Sequence, residues 1–451
     1  MKNILISNYP LRGKMRTALF FILTLLCINS YADQYMVSCP VSKGVDEKKS
    51  TDNCINKIKK IKSFENLKAK AIIAINGFTA DITKDQAAIL KKEKSVVESV
   101  EEDKKITLES DTSKIITSLD VGYTWGLTKI KIPDVRTTYP TVTGTGVVVG
   151  IVDSGIYGSH QEFTDKIKAW KDFSSYESDT TADDCGHGTH VAGTISGGSL
   201  SGTYIGVAPN VKLVIARALV LTWPSCSGSE SGIILAMQWM ANYDDLGSKV
   251  DVVNMSLGRS RITGETPELA TDAFHKAVTY LARKGIVVVI SAGNSGPSSQ
   301  TIGFPGSSPA ALTVGAVDST NTIASFSSRG PADWLRNGVA YSITKPEIVA
   351  PGVSIQSSYT GNPTAYVAMD GTSMAAPHVT GVVALIKQVK PGITVNNVIK
   401  TMQRFSTPLP TSGNSPNNNY GRGLIDAKKI IDACMTSLRT DDCTDLVPRT
   451  K

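Results

Sequence analysis

Four short apolar runs constrain this chain more than any other feature. Residues 147–152, 213–218, 250–255 and 286–290 are continuous stretches rich in β-branched side chains, the signature of strands buried on both faces. Between them, residues 231–242 and 268–284 carry helical periodicity. Strands alternating with helices predict an α/β fold, a right-handed parallel sheet with helices on both sides. In such sheets chemistry collects at the carboxyl ends of the strands.

The 451 residues allow about three average domains, or one large domain with appendages. A formal net charge of +7 suggests a nucleic-acid partner until it is split by position. Residues 1–32 carry 4 Lys/Arg and no Asp/Glu, residues 33–110 carry 15 against 13, and residues 111–451 carry 28 against 27. The body is almost neutral, so the clustered Lys/Arg of a polyanion-binding surface are missing, and no nucleic-acid partner is expected.

Lys2, Arg12, Lys14 and Arg16 precede an apolar run over 18–27, and Ser30-Tyr31-Ala32 offers small residues for a signal peptidase. The run is too short to span a bilayer. Residues 1–32 are therefore read as a signal peptide, with Cys27 an ordinary leader residue, and the mature chain as secreted, extracellular or periplasmic, with no membrane anchor. Six cysteines then remain in an oxidising compartment: Cys39, Cys54, Cys185, Cys226, Cys434 and Cys443. Their number leaves every pairing open; local organisation suggests 39–54, 185–226 and 434–443. Cys185 with His187 and His190 has a spacing that matches no common structural zinc site, and no metal ligands are assigned.

Residues 33–110 differ in composition from the rest of the chain, with lysine but no arginine. Ile55, Ile58 and Ile61 share a helical face, 71–75 reads as a strand, Thr83 with Gln86 forms a capping box, and 96–101 reads as a closing strand. The expectation is a small β-α-β-α-β unit near the size at which isolated stability is marginal, folding against something larger.

Three segments place reactive side chains where the chemistry is expected. The first buried run ends in Asp153-Ser154-Gly155, the segment 186–193 (GHGTHVAG) opens a helix, and 371–378 (GTSMAAPH) puts Ser373 where a long apolar helix begins. Pro377 is tolerable there because few amides near a helix start have partners. A serine hydroxyl is a poor nucleophile until an imidazole accepts its proton, and the imidazole needs a carboxylate to fix its tautomer and stabilise its charge. Ser373, His187 and Asp153 suit those roles, and a helix N-terminus adds N–H groups for a developing oxyanion.

In that order, DSGI, GHGTHVAGT and GTSMAAPHV resemble the three signatures of the subtilisin-like serine proteases, peptidase family S8. The stretch 75–90, INGFTADITKDQAAIL, resembles the inhibitor I9-type propeptide of the same family. The resemblance implies a three-layer subtilisin-like fold with a central parallel sheet, preceded by a small α+β ferredoxin-like propeptide domain. It implies a signal peptide at 1–32, a propeptide at 33–111, a catalytic domain at 112–434 and a tail at 435–451. It makes Asp153, His187 and Ser373 catalytic, and Asn294 of SAGNSG the side-chain oxyanion donor. Ser256, Leu257 and Gly258 become one wall of a substrate groove, and Ser227 and Gly228, with Ser229, the opposing edge. Main-chain pairing between two such edges favours broad specificity. Gly303 matches the floor of the primary pocket and carries no charge, which argues for apolar or aromatic residues before the scissile bond. His190 and His378 are expected to pack near the site, and His275 to lie on a solvated helix face.

The same resemblance implies polypeptide substrates, a self-processing zymogen cut between Lys105 and Leu119, and a propeptide serving as intramolecular chaperone and inhibitor. A monomer is expected. A disulfide between Cys185 and Cys226 would stiffen the groove. No cofactor is expected to be required. A structural calcium, bound in many relatives by the loop after the histidine helix, is made doubtful by Leu200 in place of an asparagine and by Glu162 in place of an aspartate.

Overall fold

The computed structural model of the chain describes residues 33–41, 44–108, 113–115, 119–174, 176–262, 264–409 and 415–444. The leader, residues 109–112 and 116–118 of the expected processing interval, and 445–451 of the tail lie outside the described residues.

The first unit runs β1 (Asp33–Ser38), α1 (Glu47–Lys59), β2 (Lys70–Ile72), β3 (Gly77–Ile82), α2 (Lys84–Lys92) and β4 (Ser99–Glu102). Its sheet is antiparallel in the order β2-β3-β1-β4, the ferredoxin-like arrangement. The strand expected over 71–75 is corrected here. It stops at Ile72, a 3-10 turn follows, and Asn76 at φ 51° reverses the chain into β3. Asparagine tolerates that left-handed region, and its Nδ2 donates to the carbonyls of Cys39 and Pro40. Gly77 follows because a Cβ there would stand 2.0 Å from the Val37 oxygen. The unit therefore contains a hairpin that periodicity alone does not reveal. One sheet face buries Val37, Ile58, Phe78 and Leu90 against its own helices. The other presents Met36, Ile72 and Ile75 to the large domain.

After β4 come β5 (Lys105–Thr107) and β6 (Ser113–Ile115), which pair with strands of the large domain. That domain continues β7 (Val148–Asp153), β8 (Ile167–Asp172), α3 (His187–Ser196), β9 (Lys212–Arg217), β10 (Val220–Thr222), β11 (Ser225–Ser229) and α4 (Glu230–Asn242). Next are β12 (Val252–Met255), α5 (Ala273–Arg283), β13 (Val287–Ser291), β14 (Leu312–Val317), β15 (Ile348–Pro351), β16 (Ile355–Ser358), β17 (Tyr366–Met369), α6 (Thr372–Val389) and α7 (Ala427–Thr436). Seven strands pair in parallel in the order β15-β14-β13-β12-β7-β9-β8.

All of β7 is buried, and the two-residue period of a strand divides it between two cores. Val149 and Ile151 enter the core made with α3, α6 and α7, whereas Val148 and Val152 enter the one made with α4 and α5. The result is the expected three layers. Helix α5 begins later than its periodicity suggests because the Asp272 side chain caps it, accepting from the His275 amide. His275 itself is half-buried. Its Nδ1 meets Ser308 Oγ at 2.8 Å, its ring tilts against Trp334, and burial first, then the Lys345 charge, pushes it down to about 4. The solvated face expected for it is corrected, because strands downstream cover that side of the helix.

Candidate active site

Neighbouring strand ends carry the reactive groups. Strands β7 and β12 are adjacent and parallel, so residues at their carboxyl ends lie about 5 Å apart. Asp153 closes β7 and is fully buried. Its Oδ1 accepts from the Ser154 amide at 2.7 Å and lies 2.6 Å from His187 Nδ1. A carboxylate only accepts, so Nδ1 carries the proton and Nε2 is the basic nitrogen. Gly155 follows at φ 110°, where a Cβ would stand 1.9 Å from the Ala182 oxygen. His187 is the first residue of α3, and Gly186 before it adopts φ 75° against the Tyr359 ring.

Ser373 is the second residue of α6 and 7% exposed. Its Oγ donates to the Ser256 carbonyl at 3.2 Å, while Ser256 Oγ donates to the Ser373 carbonyl at 2.8 Å. That second bond explains Pro377. A proline four residues on cannot supply the amide that would normally take the Ser373 carbonyl, and the residue just past β12 takes it instead. The helix start is thereby tied to the carboxyl end of a central strand. Asn294 follows β13, and its Oδ1 accepts from the amide and hydroxyl of Thr372 at 3.0 and 2.8 Å. With Oδ1 engaged, the donor end of the amide is Nδ2, the group that an oxyanion requires. Ser373, Asn294, Ser256, Leu257, Gly258 and Gly303 surround one pocket, with Leu108 at its margin.

Residues 144–423 match the model of the subtilase family. The chain belongs to that family. It is 36% identical over 314 residues to serine protease AprX of Bacillus subtilis (strain 168), covering 64% of this chain and 67% of that one. It is 39% identical over 287 residues to subtilisin DY of Bacillus licheniformis, covering 63% and 90%. Subtilisin E of Bacillus subtilis (strain 168) is 37% identical over 306 residues, covering 67% and 70%. The protein is thus a serine endopeptidase acting on polypeptides.

In this subtilase the strand expected to edge the groove, β11, is paired with the chain itself. β5 pairs antiparallel with β11, Ile106 opposite Gly228 and Thr107 opposite Ser227, and the Leu108 amide donates to Cys226 at 2.8 Å. Ile106 is fully buried there. Gly228 permits the approach of β11 to the connection between β9 and β10, since a Cβ would meet the Ala218 oxygen at 2.1 Å. β6 pairs antiparallel with β17, four residues before Ser373. Cys185 and Cys226 are bridged, joining the loop before His187 to β11; Cys39–Cys54 and Cys434–Cys443 are also bridged. Gly303 lines the pocket at a point where a Cβ would stand 2.6 Å from the Arg259 oxygen. Arg259 also borders the pocket, but its guanidinium forks onto Glu265 at 2.7 and 2.9 Å and lies over Phe304.

Sequence reasoning missed Asp183. It is buried, and its carboxylate accepts from Ser154 Oγ, the amides of Cys185, Gly186 and Thr189, and Thr189 Oγ1, at 2.6–3.1 Å. Ser154 Oγ accepts in turn from the Gly188 amide at 2.9 Å. One carboxylate thus clamps the aspartate strand to the histidine helix. Burial pushes Asp183 up while the Thr189 and Ser154 donors pull it back. Nothing local distinguishes it from Asp184, which instead pairs with Arg217. His190 and His378 are fully buried, bonded to the Ile355 and Met374 carbonyls at 2.9 and 2.8 Å, and pushed down by burial to about 3 and about 4.

A calcium does not fit the loop after α3. Glu162 is buried, and its carboxylate is taken by the amides of Gly198 and Leu200, at 2.6 and 3.1 Å, and by the Tyr366 hydroxyl at 2.8 Å. Calcium requires converging oxygens, whereas two N–H donors converge here. Among the described residues, no group of three or more His, Cys, Asp or Glu is placed to hold a metal. Among the same residues, no helix is long and apolar enough to cross a membrane.

Proposed function

We propose that this subtilase hydrolyses peptide bonds by acyl-enzyme chemistry through Ser373, His187 and Asp153, and that it is made as a self-processing zymogen. The observation that carries the reading is the 2.6 Å His187–Asp153 contact on the strand end next to the Ser256–Ser373 link. His187 Nε2 takes the Ser373 proton as Oγ attacks the scissile carbonyl. Asp153 holds the imidazolium, Asn294 Nδ2 and the Ser373 amide hold the oxyanion, and the proton passes to the leaving amine. Water then repeats the sequence to release the acid.

Leu257, Phe304 and the bare Gly303 around the pocket support a preference for apolar or aromatic residues before the scissile bond, with main-chain pairing giving breadth elsewhere. The 33–108 segment acts as inhibitor and folding template, its β5 lying on β11 as a product strand would. Self-cleavage falls between Lys105 and Leu119, the interval that includes β5 and β6. Export through the 1–32 leader, a mature domain from about 112 to 434 and a monomeric state complete the reading. Ser373→Ala, expressed as the full chain, should accumulate uncleaved precursor and lose labelling by a fluorophosphonate probe. Normal maturation or labelling of that variant would overturn the assignment.

A further inference from the structure

The contact between the 33–108 segment and the large domain gathers a group of acids, Glu230 and Asp272 buried and Glu101 and Asp103 half-buried. Glu101 lies on β4, with Asp103 and Lys104 just after it. Across the interface, Glu230 opens α4 and Asp272 caps α5. The donors at the two helix starts are taken up by other carboxylates. Asp103 accepts the amide and hydroxyl of Ser231 at 2.8 and 2.5 Å, and Asp272 accepts the His275 amide at 2.7 Å. Glu230 is 2% exposed, and its Oε2 has no hydrogen-bond partner.

The nearby bases are committed elsewhere. Lys276 is bonded to Glu98 and Ser38, Arg259 forks onto Glu265, Lys104 lies 3.8 Å from Glu265, and Arg261 donates to the Glu265 and Asp333 carbonyls. Burial therefore dominates, and the Asp272 charge adds to it. Together they push Glu101 up to about 7 and Glu230 up to about 8, with the Lys104, Lys276 and Arg259 charges opposing only in part.

We propose that this interface is a proton-linked latch, closed in acid and released by base, which regulates access to the groove; the idea rests on the inhibitory role of the 33–108 segment proposed above. Once the segment leaves, Glu101 and the newly exposed Glu230 titrate in water near the ordinary glutamate value of about 4.3. The closed form holds protons that the open form does not, so closing takes protons up. Affinity is at its full value below about pH 4.5 and declines as pH rises through about 7 and about 8. Above that range both carboxylates are ionised against Asp272, and pH has no further effect through them.

Two measurements test the latch. In full-length Ser373→Ala, amide hydrogen exchange along the β5–β11 ladder, corrected for base-catalysed chemical exchange, should lose protection by at least about thirtyfold between pH 5 and pH 8.5. The loss should be reduced by adding either Glu101→Gln or Glu230→Gln and abolished by adding both, since each amide is neutral at every pH. In self-cleaved wild-type chain, co-elution of the 33–108 segment with the catalytic part should likewise persist at pH 5 and fail at pH 8.5. Protection independent of pH, or the same loss in the Glu101→Gln variant, overturns the latch. Failure of the wild-type chain to cleave itself would instead sink the zymogen reading, and the exchange measurement would still decide the latch.

Discussion

Burial drives His190 and His378, on the helices that carry the active site, down to about 3 and about 4, and drives Glu101 and Glu230, at the interface with the first unit, up to about 7 and about 8. The cause is common to both regions, since a low dielectric penalises whichever form is charged. The consequences are opposite because one region buries bases and the other acids. Lowering the pH works against the histidine region, whose unfolded state takes up more protons, and favours the interface, whose closed state does. Charge type, rather than burial, decides how each part of one molecule answers to acid.

The sharpest separation of the two regions comes from Ser373→Ala. Turnover should fall roughly a millionfold, the scale known for subtilisin, while the interface stays closed at pH 5, as co-elution or exchange would report. A smaller loss on the catalytic side alone is expected from Asn294→Ala. kcat should drop about a hundredfold to a thousandfold with KM little changed, and the pH dependence of segment release should be untouched. A change in KM comparable to that in kcat would mean that Asn294 holds substrate rather than transition state.

Asp183→Asn probes the clamp between aspartate strand and histidine helix. An amide offers one acceptor to donors that now share a carboxylate, so a stability loss of about 2–3 kcal/mol is expected by denaturant unfolding, with kcat reduced more than KM. Acid itself tests the contrast. For a histidine pushed down on folding, stability is complete above the unfolded value of about 6.5 and is lost as pH falls toward the folded value. On the order of 2 kcal/mol per buried histidine should vanish by pH 4.5. In the full Ser373→Ala chain the interface opposes this loss, so adding Glu101→Gln should make the melting temperature fall more steeply between pH 7 and pH 5. Equal slopes would remove the contrast. The smallest effect concerns metal: because Glu162 is already occupied by the Gly198 and Leu200 amides, EDTA should shift the melting temperature by no more than about 2 °C, whereas Glu162→Ala should lower it well beyond that.

Much of the fold was legible because strand and helix periods are local. The runs at 147–152 and 286–290 become β7 and β13 within a residue at each end. The hairpin at Asn76 was not, since a single left-handed residue leaves no periodic trace. The late start of α5 depends on Asp272 capping it, a choice the upstream residues of the same pattern do not announce. At the site, Asp153, His187 and Ser373 stand in short motifs at element ends and could be picked out directly. Asp183 could not, because its importance lies in five donors gathered from three segments. Pro377 was legible as an oddity, but its reason is the hydroxyl of Ser256, more than a hundred residues away in the chain.

The amino-acid order alone determined the parallel sheet, the layering of helices about it and the identity of the groups able to do the chemistry, because side-chain type and spacing set local conformation and intrinsic reactivity. Tertiary structure decided what those groups experience. Which carboxylates receive donors, as Asp153 and Asp183 do, and which lie among other acids, as Glu101 and Glu230 do, depends on partners brought together only by folding, and so does the dielectric that sets their charge.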